Sequence, residues 1–295
     1  MSEPWSEGSA RKAAERAAAR LGLTEPIELV RLGTNGVFFS GETVVRVSPP
    51  DESPELVQQQ LEFARWLVDN EFPTSAPFLD EPVVVGCTLV TTWSRIRGEP
   101  GREADRVEFG QLLRHFHALT DSYQGPMPEW EPLGRLGQRL DEVPSDDTFS
   151  EDDRKTLCRW RDDLVSAARE LEWVLDPGPL HGDVHTGNLI VNESGQYLVD
   201  LDRIARGPRE WDLTQPVGSL QRFGGDPAQV DEFMAGYGWD LRSWSGSEIL
   251  VSLRLLFMTS WLLTVPRNDR VRAEISTRMS YWRQPSDAAG RWNPV

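Results

Sequence analysis

The spacing of apolar and polar positions changes period along the chain. Residues 4–22 are dominated by Ala and Arg and predict a surface helix that stops at Leu21-Gly22. The period then shortens. Residues 27–32, 37–39 and 43–47 predict three short strands, joined by the turns Gly33-Thr34-Asn35-Gly36 and Ser40-Gly41-Glu42. A helix follows to residue 70, with Ser53 suited to its N-cap and Pro54 to its first turn. Two more strands are expected at 82–85 and 88–96, then a loop at 98–103. Beyond it the helical period takes over, at 103–122, in a short piece at 133–140, and at 151–175, 228–236, 246–265 and 268–282. The most apolar stretch, 249–265, is 17 residues long and contains Arg254, so it reads as a core helix rather than a membrane span.

One stretch interrupts the helical half. Residues 180–202 read LHGDVHTGNLIVNESGQYLVDLD. Two apolar runs flank Asn192-Glu193-Ser194-Gly195, which predicts a loop feeding a β-hairpin. A hairpin holds its ends side by side, so Asn188 is expected beside Asp200. An amide oxygen next to a carboxylate suits Mg2+, a hard ion that takes oxygen ligands and shares substrate phosphates. Asp183 lies five residues before Asn188, on the loop, where it can accept a proton from a substrate hydroxyl. An Asp base, an Asn for metal and a second Asp for metal match the parts of a phosphoryl-transfer site. An ordinary polar hairpin would account for His-Gly-Asp alone, but poorly for the whole spacing.

His181-Gly182-Asp183-Val184-His185-Thr186-Gly187-Asn188, together with Asp200-Leu201-Asp202, resembles the aminoglycoside phosphotransferase and choline kinase family. Gly207-Pro208-Arg209-Glu210-Trp211-Asp212-Leu213 is similar to the segment after the metal Asp in its actinobacterial members. The likeness runs from about residue 28 to 281. It implies an α+β, bilobal protein-kinase-like fold. Residues 1–97 would form a small N-terminal β-sheet lobe, and 98–295 a larger, mainly helical lobe with the catalytic loop, metal site and acceptor pocket. ATP or GTP would lie between them.

The resemblance also implies roles. Asp183 would align the acceptor hydroxyl and take its proton. Asn188 and Asp200 would bind Mg2+, with Asp202 taking a second metal or orienting the first. Asp212 would accept backbone N–H groups of the catalytic loop, with His181 part of that support. Arg46 would hold nucleotide phosphates, since the chain has two lysines, Lys12 and Lys155, and neither falls on a predicted strand. Glu62 is the candidate to pair with Arg46, although the family register falls nearer Gln60, and Glu55 lies seven residues earlier on the same face. Thr92 and Trp93 fall where a hinge would meet the nucleotide base. Asn35 and Gly36 belong to a glycine turn able to approach phosphate, or to an ordinary hairpin turn. His117, in Phe-His-Ala-Leu, reads as a satisfied buried histidine rather than a catalyst.

Charge narrows the partners. The chain carries a net −16, which disfavours nucleic acid and anionic membranes. From residue 99 onward 33 acidic residues face 22 basic ones, and this tilts the acceptor towards a cationic small molecule such as an aminoglycoside. Macrolides, nucleoside antibiotics, choline, homoserine and sugars are the family's other acceptors, and a non-catalytic nucleotide-binding module is the alternative of another class. No Asp-Phe-Gly triplet and no Ala-Pro-Glu segment supports a protein kinase. Two distant cysteines, Cys87 and Cys158, have no metal spacing, and residues 1–20 do not read as a signal peptide, so a cytoplasmic protein with reduced thiols is expected.

Overall fold

The computed structural model describes residues 5–50, 52–131, 133, 139–140, 142–285 and 290–294 of the 295. The chain forms two compact units. The first comprises Met1–Ala104, Phe116–Pro128 and Thr186–Ala205; the second comprises Asp105–His115, Glu129–His185 and Arg206–Val295.

The first unit is built on a five-stranded antiparallel sheet. Its strands are β1 (Glu28–Leu32), β2 (Gly36–Ser40), β3 (Thr43–Val47), β4 (Val83–Val85) and β5 (Thr88–Ser94), in the order β1-β2-β3-β5-β4. Burial alternates along β2 and β3, as the period of two requires. Helix α1 (Glu7–Leu21) opens with a capping box between Ser6 and Ser9 and ends at Gly22 in the left-handed conformation. It is more than the surface helix expected. Ala10, Ala13, Ala14 and Ala17 are buried with Phe38, Val45, Val47, Val85 and Val90 in one core cluster. The alanines recur at helical spacing, and their small side chains form the apolar face. Gly36 belongs to this packing, because a Cβ there would come within 3.0 Å of the Ala10 Cβ.

Helix α2 (Pro54–Asp69) follows, capped by Ser53. It explains why 116–128 belongs to the first unit: Phe63 packs against Phe116 and Tyr123, with ring centroids 5.9 and 4.8 Å away. The expected hairpin is present as β8 (Leu189–Asn192) and β9 (Gly195–Leu198). Its third strand was expected as loop: β6 (Glu99–Pro100) pairs with β8 through Glu99 and Val191.

The second unit is mainly helical. It contains most of α3 (Arg106–Thr120), then α4 (Glu151–Arg169), α5 (Thr214–Arg222), α6 (Pro227–Tyr237), α7 (Ser247–Leu262) and α8 (Asp269–Arg283). Helix α7 is the core helix read from its composition. Leu250, Val251, Leu253, Leu255, Leu256 and Leu262 are buried, and α4, α5 and α8 pack around it. Helix α4 stops six residues before the expected end, because the N–H groups of Val174 and Leu175 are taken by the Glu210 carboxylate instead of by helical carbonyls. A short strand β7 (Gly178–Leu180) leads into the His181 loop and pairs with β10 (Ala205–Gly207). Of the helical piece expected at 133–140, residues 139–140 are helical and 134–138 lie outside the described residues. Among the described residues no helix is long and apolar enough to cross a membrane.

Candidate active site

In the second unit, three consecutive side chains of the 3-10 turn Arg209–Leu213 fix the loop that carries Asp183. Asp212 is fully buried, and its two oxygens accept from His181 N at 2.9 Å and Gly182 N at 2.7 Å. Trp211 Nε1 donates to the carbonyl of Gly182 at 3.2 Å. Glu210, also fully buried, holds Val174 and Leu175 just ahead of β7. Gly182 turns with φ +83°, where a side chain would be strained. The His181 ring is buried, and its Nδ1 accepts from Asp183 N at 3.3 Å. The Asp183 carboxylate stays about one-third exposed, with His185 Nε2 3.5 Å from one oxygen. This is a carboxylate presented to solvent on a backbone fixed from below.

A residue that sequence reading used only against a membrane span completes this loop. Arg254 of α7 is buried, and its guanidinium donates to Gly182 O at 3.0 Å, Thr214 Oγ1 at 3.0 Å and Trp211 O at 3.2 Å. It stacks on the Trp211 ring at 3.8 Å and lies 3.9 Å from Asp183 Oδ1. Its signal was visible as a lone cation in an apolar helix, since such a residue is almost never buried without partners.

In the first unit, the β8–β9 register brings Asn188 beside the end of β9. The Asn188 carbonyl accepts from Val199 N at 2.9 Å, and Asp200 is the next residue. Asn188 is buried. Asp200 has φ +73°, a left-handed conformation that Asp tolerates better than most side chains and that often marks functional positions. Two arginines meet this acid pair. Arg31 of β1 pairs with Asp200, and Arg46 of β3 pairs with Asp202. Asn35 donates its amide to Asp202, and Gln60 of α2 reaches the Asp202 carbonyl at 3.4 Å. Burial weakens the hold of Arg46 on its proton more than any other influence, with Arg31 and Arg203 adding to it and Asp200 and Glu52 opposing it.

Three expectations change here. Glu62 does not pair with Arg46: it is exposed, and its carboxylate accepts from Gln58 at 3.0 Å, one helical turn back. Glu55 is exposed in the first turn of the same helix. Asp202 supplies the charge that meets Arg46. Second, Thr92 and Trp93 are used by the sheet. The Thr92 carbonyl accepts from Phe78 N at 2.9 Å, Trp93 pairs across to Val44, and Trp93 Nε1 donates to Thr91 Oγ1 at 2.8 Å. Both side chains are buried. Third, Gly36 is small because α1 packs on it. His117 is buried beside Phe116. Sequence reading missed Arg31, Glu210 and Arg254.

The profile of a family described as "Phosphotransferase enzyme family" matches residues 29–246, about three-quarters of the chain. The chain belongs to this family. It is thus a phosphotransferase. No curated protein matches it in sequence. Solved structures do match in fold. An amicoumacin kinase in complex with AMP-PNP, Ca2+ and Ami has a TM-score of 0.74 at 15% identity, over 97% of this chain and 98% of that one. A choline/ethanolamine kinase family protein from Mesorhizobium loti has a TM-score of 0.66 at 17% identity, over 96% of each chain. An aminoglycoside phosphotransferase from Streptomyces rimosus, in complex with ADP and streptomycin, has a TM-score of 0.63 at 18% identity, over 86% of this chain and 99% of that one. The phosphotransferase therefore has the bilobal protein-kinase-like fold, α+β in class, as the sequence implied.

Proposed function

We propose that this phosphotransferase moves the γ-phosphoryl group of ATP, or of GTP, to a hydroxyl of a small amine-bearing acceptor of the aminoglycoside type, with Mg2+. The observation that carries the reading is the Asp183 loop. Its backbone is fixed by Asp212 and Trp211, while its carboxylate remains accessible. Such a group suits a reaction in which positioning matters most and the acceptor proton is taken late. The acceptor oxygen bonds to the γ-phosphorus, the bond from that phosphorus to the nucleoside diphosphate breaks with its electrons going to the diphosphate, and the hydroxyl proton passes to Asp183.

The donor set fits Mg2+. Asn188 and Asp200 would hold it, with Asp202 beside them; all three offer hard oxygen. Mg2+ takes one or two carboxylates and completes its shell with phosphate and water. When bound, the ion offsets charge on the phosphates. Arg46 and the turn at Asn35 would take phosphate oxygens, since a guanidinium fork matches them well.

Two facts support an amine-bearing acceptor: the net −11 carried from residue 99 onward, and the names of the related structures, which include aminoglycoside and choline/ethanolamine enzymes. A second reading, a nucleotide-binding module without turnover, draws on Arg46 being paired with Asp202 rather than with an α2 glutamate. ATP- and GTP-dependent phosphorylation of a panel of amino alcohols, aminoglycosides and neutral polyols decides between them. Transfer to an amine-bearing hydroxyl compound is expected. Transfer only to neutral compounds overturns the acceptor, and nucleotide binding with neither transfer nor hydrolysis favours the module.

A further inference from the structure

A charged residue buried in an apolar helix requires a reason. Taking a guanidinium out of water costs several kcal/mol, and neutral acceptors recover only part of that. Arg254 donates to neutral acceptors: two backbone carbonyls and one hydroxyl. A glutamine could serve some of them without the charge. What a neutral side chain cannot supply is attraction to the Trp211 ring and to Asp183 Oδ1. The carbonyl of Gly182, one residue before Asp183, is gripped by both Trp211 and Arg254, while the N–H of the same residue is gripped by Asp212. The two oxygens of Asp183 thus have different surroundings: Oδ1 faces a buried permanent cation and Oδ2 faces a histidine on the same loop.

We infer that Arg254 is a positioning residue for Asp183: its charge turns the carboxylate so that Oδ1 points inward and keeps it ionised, leaving Oδ2 to meet the acceptor hydroxyl. This rests on Asp183 serving as the acceptor-side group in the reading above. Arg254 from α7, His181 and His185 from its own loop, and Asp212 from the 3-10 turn lie around Asp183; behind Asp212, burial and then Asp212 itself push the Tyr237 phenol of α6 upward, so it stays neutral. Of these, Arg254 alone is a permanent cation.

The test compares R254M and R254K by carbon-13 NMR titration of the Asp183 carboxyl, assigned with D183N, and by the pH profile of turnover. An opposite charge favours the ionised carboxylate, so its removal moves the titration midpoint up. R254M is expected to raise the Asp183 midpoint by at least ~0.5 unit, less than the full effect of a close cation because Asp183 is partly exposed. The acid limb of kcat/KM should move with it, kcat should fall ~10-fold or more, and nucleotide affinity should hold. R254K, with the charge but without the fork, should keep the midpoint near that of the wild type and recover part of kcat. A folded R254M with an unmoved midpoint overturns the inference. If R254M does not fold, R254Q decides, since it is neutral but can still donate hydrogen bonds: a raised midpoint supports the inference, and an unmoved midpoint overturns it. The NMR midpoint needs no acceptor, so it scores Arg254 even if no compound is phosphorylated, an outcome that counts against the kinase reading alone.

Discussion

The Asp183 loop and the Asp200–Asp202 acid pair come from one continuous stretch of sequence, yet they are held by different forces. The loop is fixed through its backbone. Buried Asp212, Trp211 and Arg254 take the N–H and C=O groups of residues 181–182, and none of those bonds competes with water. The acid pair is met by side chains instead: Arg31, Arg46 and Asn35 reach it from the sheet, and the Arg31 side chain is 54% exposed. A group that must stay in register through a reaction is best fixed by buried backbone hydrogen bonds, which cannot be exchanged cheaply. Carboxylates that must take up and release a metal are better held by pairs that can be traded for it. On this view the first site is built for position and the second for exchange.

The largest expected effect tests the position half. Asp183→Ala should lower turnover at least ~100-fold, the lower range for lost acid–base participation, while nucleotide affinity stays close to wild type. Near-normal turnover would remove the loop from the chemistry. Asp200→Ala tests the exchange half and should act on binding. Nucleotide titration with and without Mg2+ should show the Mg2+-dependent gain in affinity disappearing. A variant that still binds nucleotide more tightly with Mg2+ would place the metal elsewhere.

The same contrast explains what could be read from the chain. The strands, the hairpin and the closeness of Asn188 to Asp200 follow from period two and from a four-residue turn, both local. The importance of α1 was hidden because alanine carries little hydrophobic signal, although Ala10, Ala13, Ala14 and Ala17 make a clear face once the sheet is known. The partner of Arg46 was missed because Asp202 lies over 150 residues away and the search was confined to one helix. The use of the Thr92 carbonyl by Phe78 was not legible, because a family position says nothing of which distant backbone group will meet it. Arg254 was legible as an anomaly but not as a contact, since no periodicity tells which loop a buried charge will meet.

A smaller effect, on stability, follows from the buried clamp. Asp212→Ala leaves the N–H groups of His181 and Gly182 buried without their carboxylate, and the loss should be about 3 kcal/mol, combining two unmade bonds to a charged acceptor. Denaturant unfolding measures it as a lower midpoint at unchanged slope. The deficit should persist in high salt, because buried hydrogen bonds are poorly screened. A midpoint equal to wild type would mean that the loop does not depend on this residue.

The smallest effect is the most selective. Arg31→Gln removes an exposed partner of Asp200, and an exposed ion pair contributes only about 0.5 kcal/mol. Unfolding should barely register the change. If the pair is traded for metal, however, its removal should favour the metal-bound form. The Mg2+ concentration for half-maximal nucleotide binding should then fall roughly two- to threefold, the factor that about 0.5 kcal/mol gives. The advantage should fade as ionic strength rises, since at 1 M salt charges are screened within about 3 Å. A variant that needs more Mg2+ than wild type would show instead that Arg31 helps to assemble the site. The acid pair would then belong with the Asp183 loop, as a structure fixed in advance, and the distinction between position and exchange would fail at its second term.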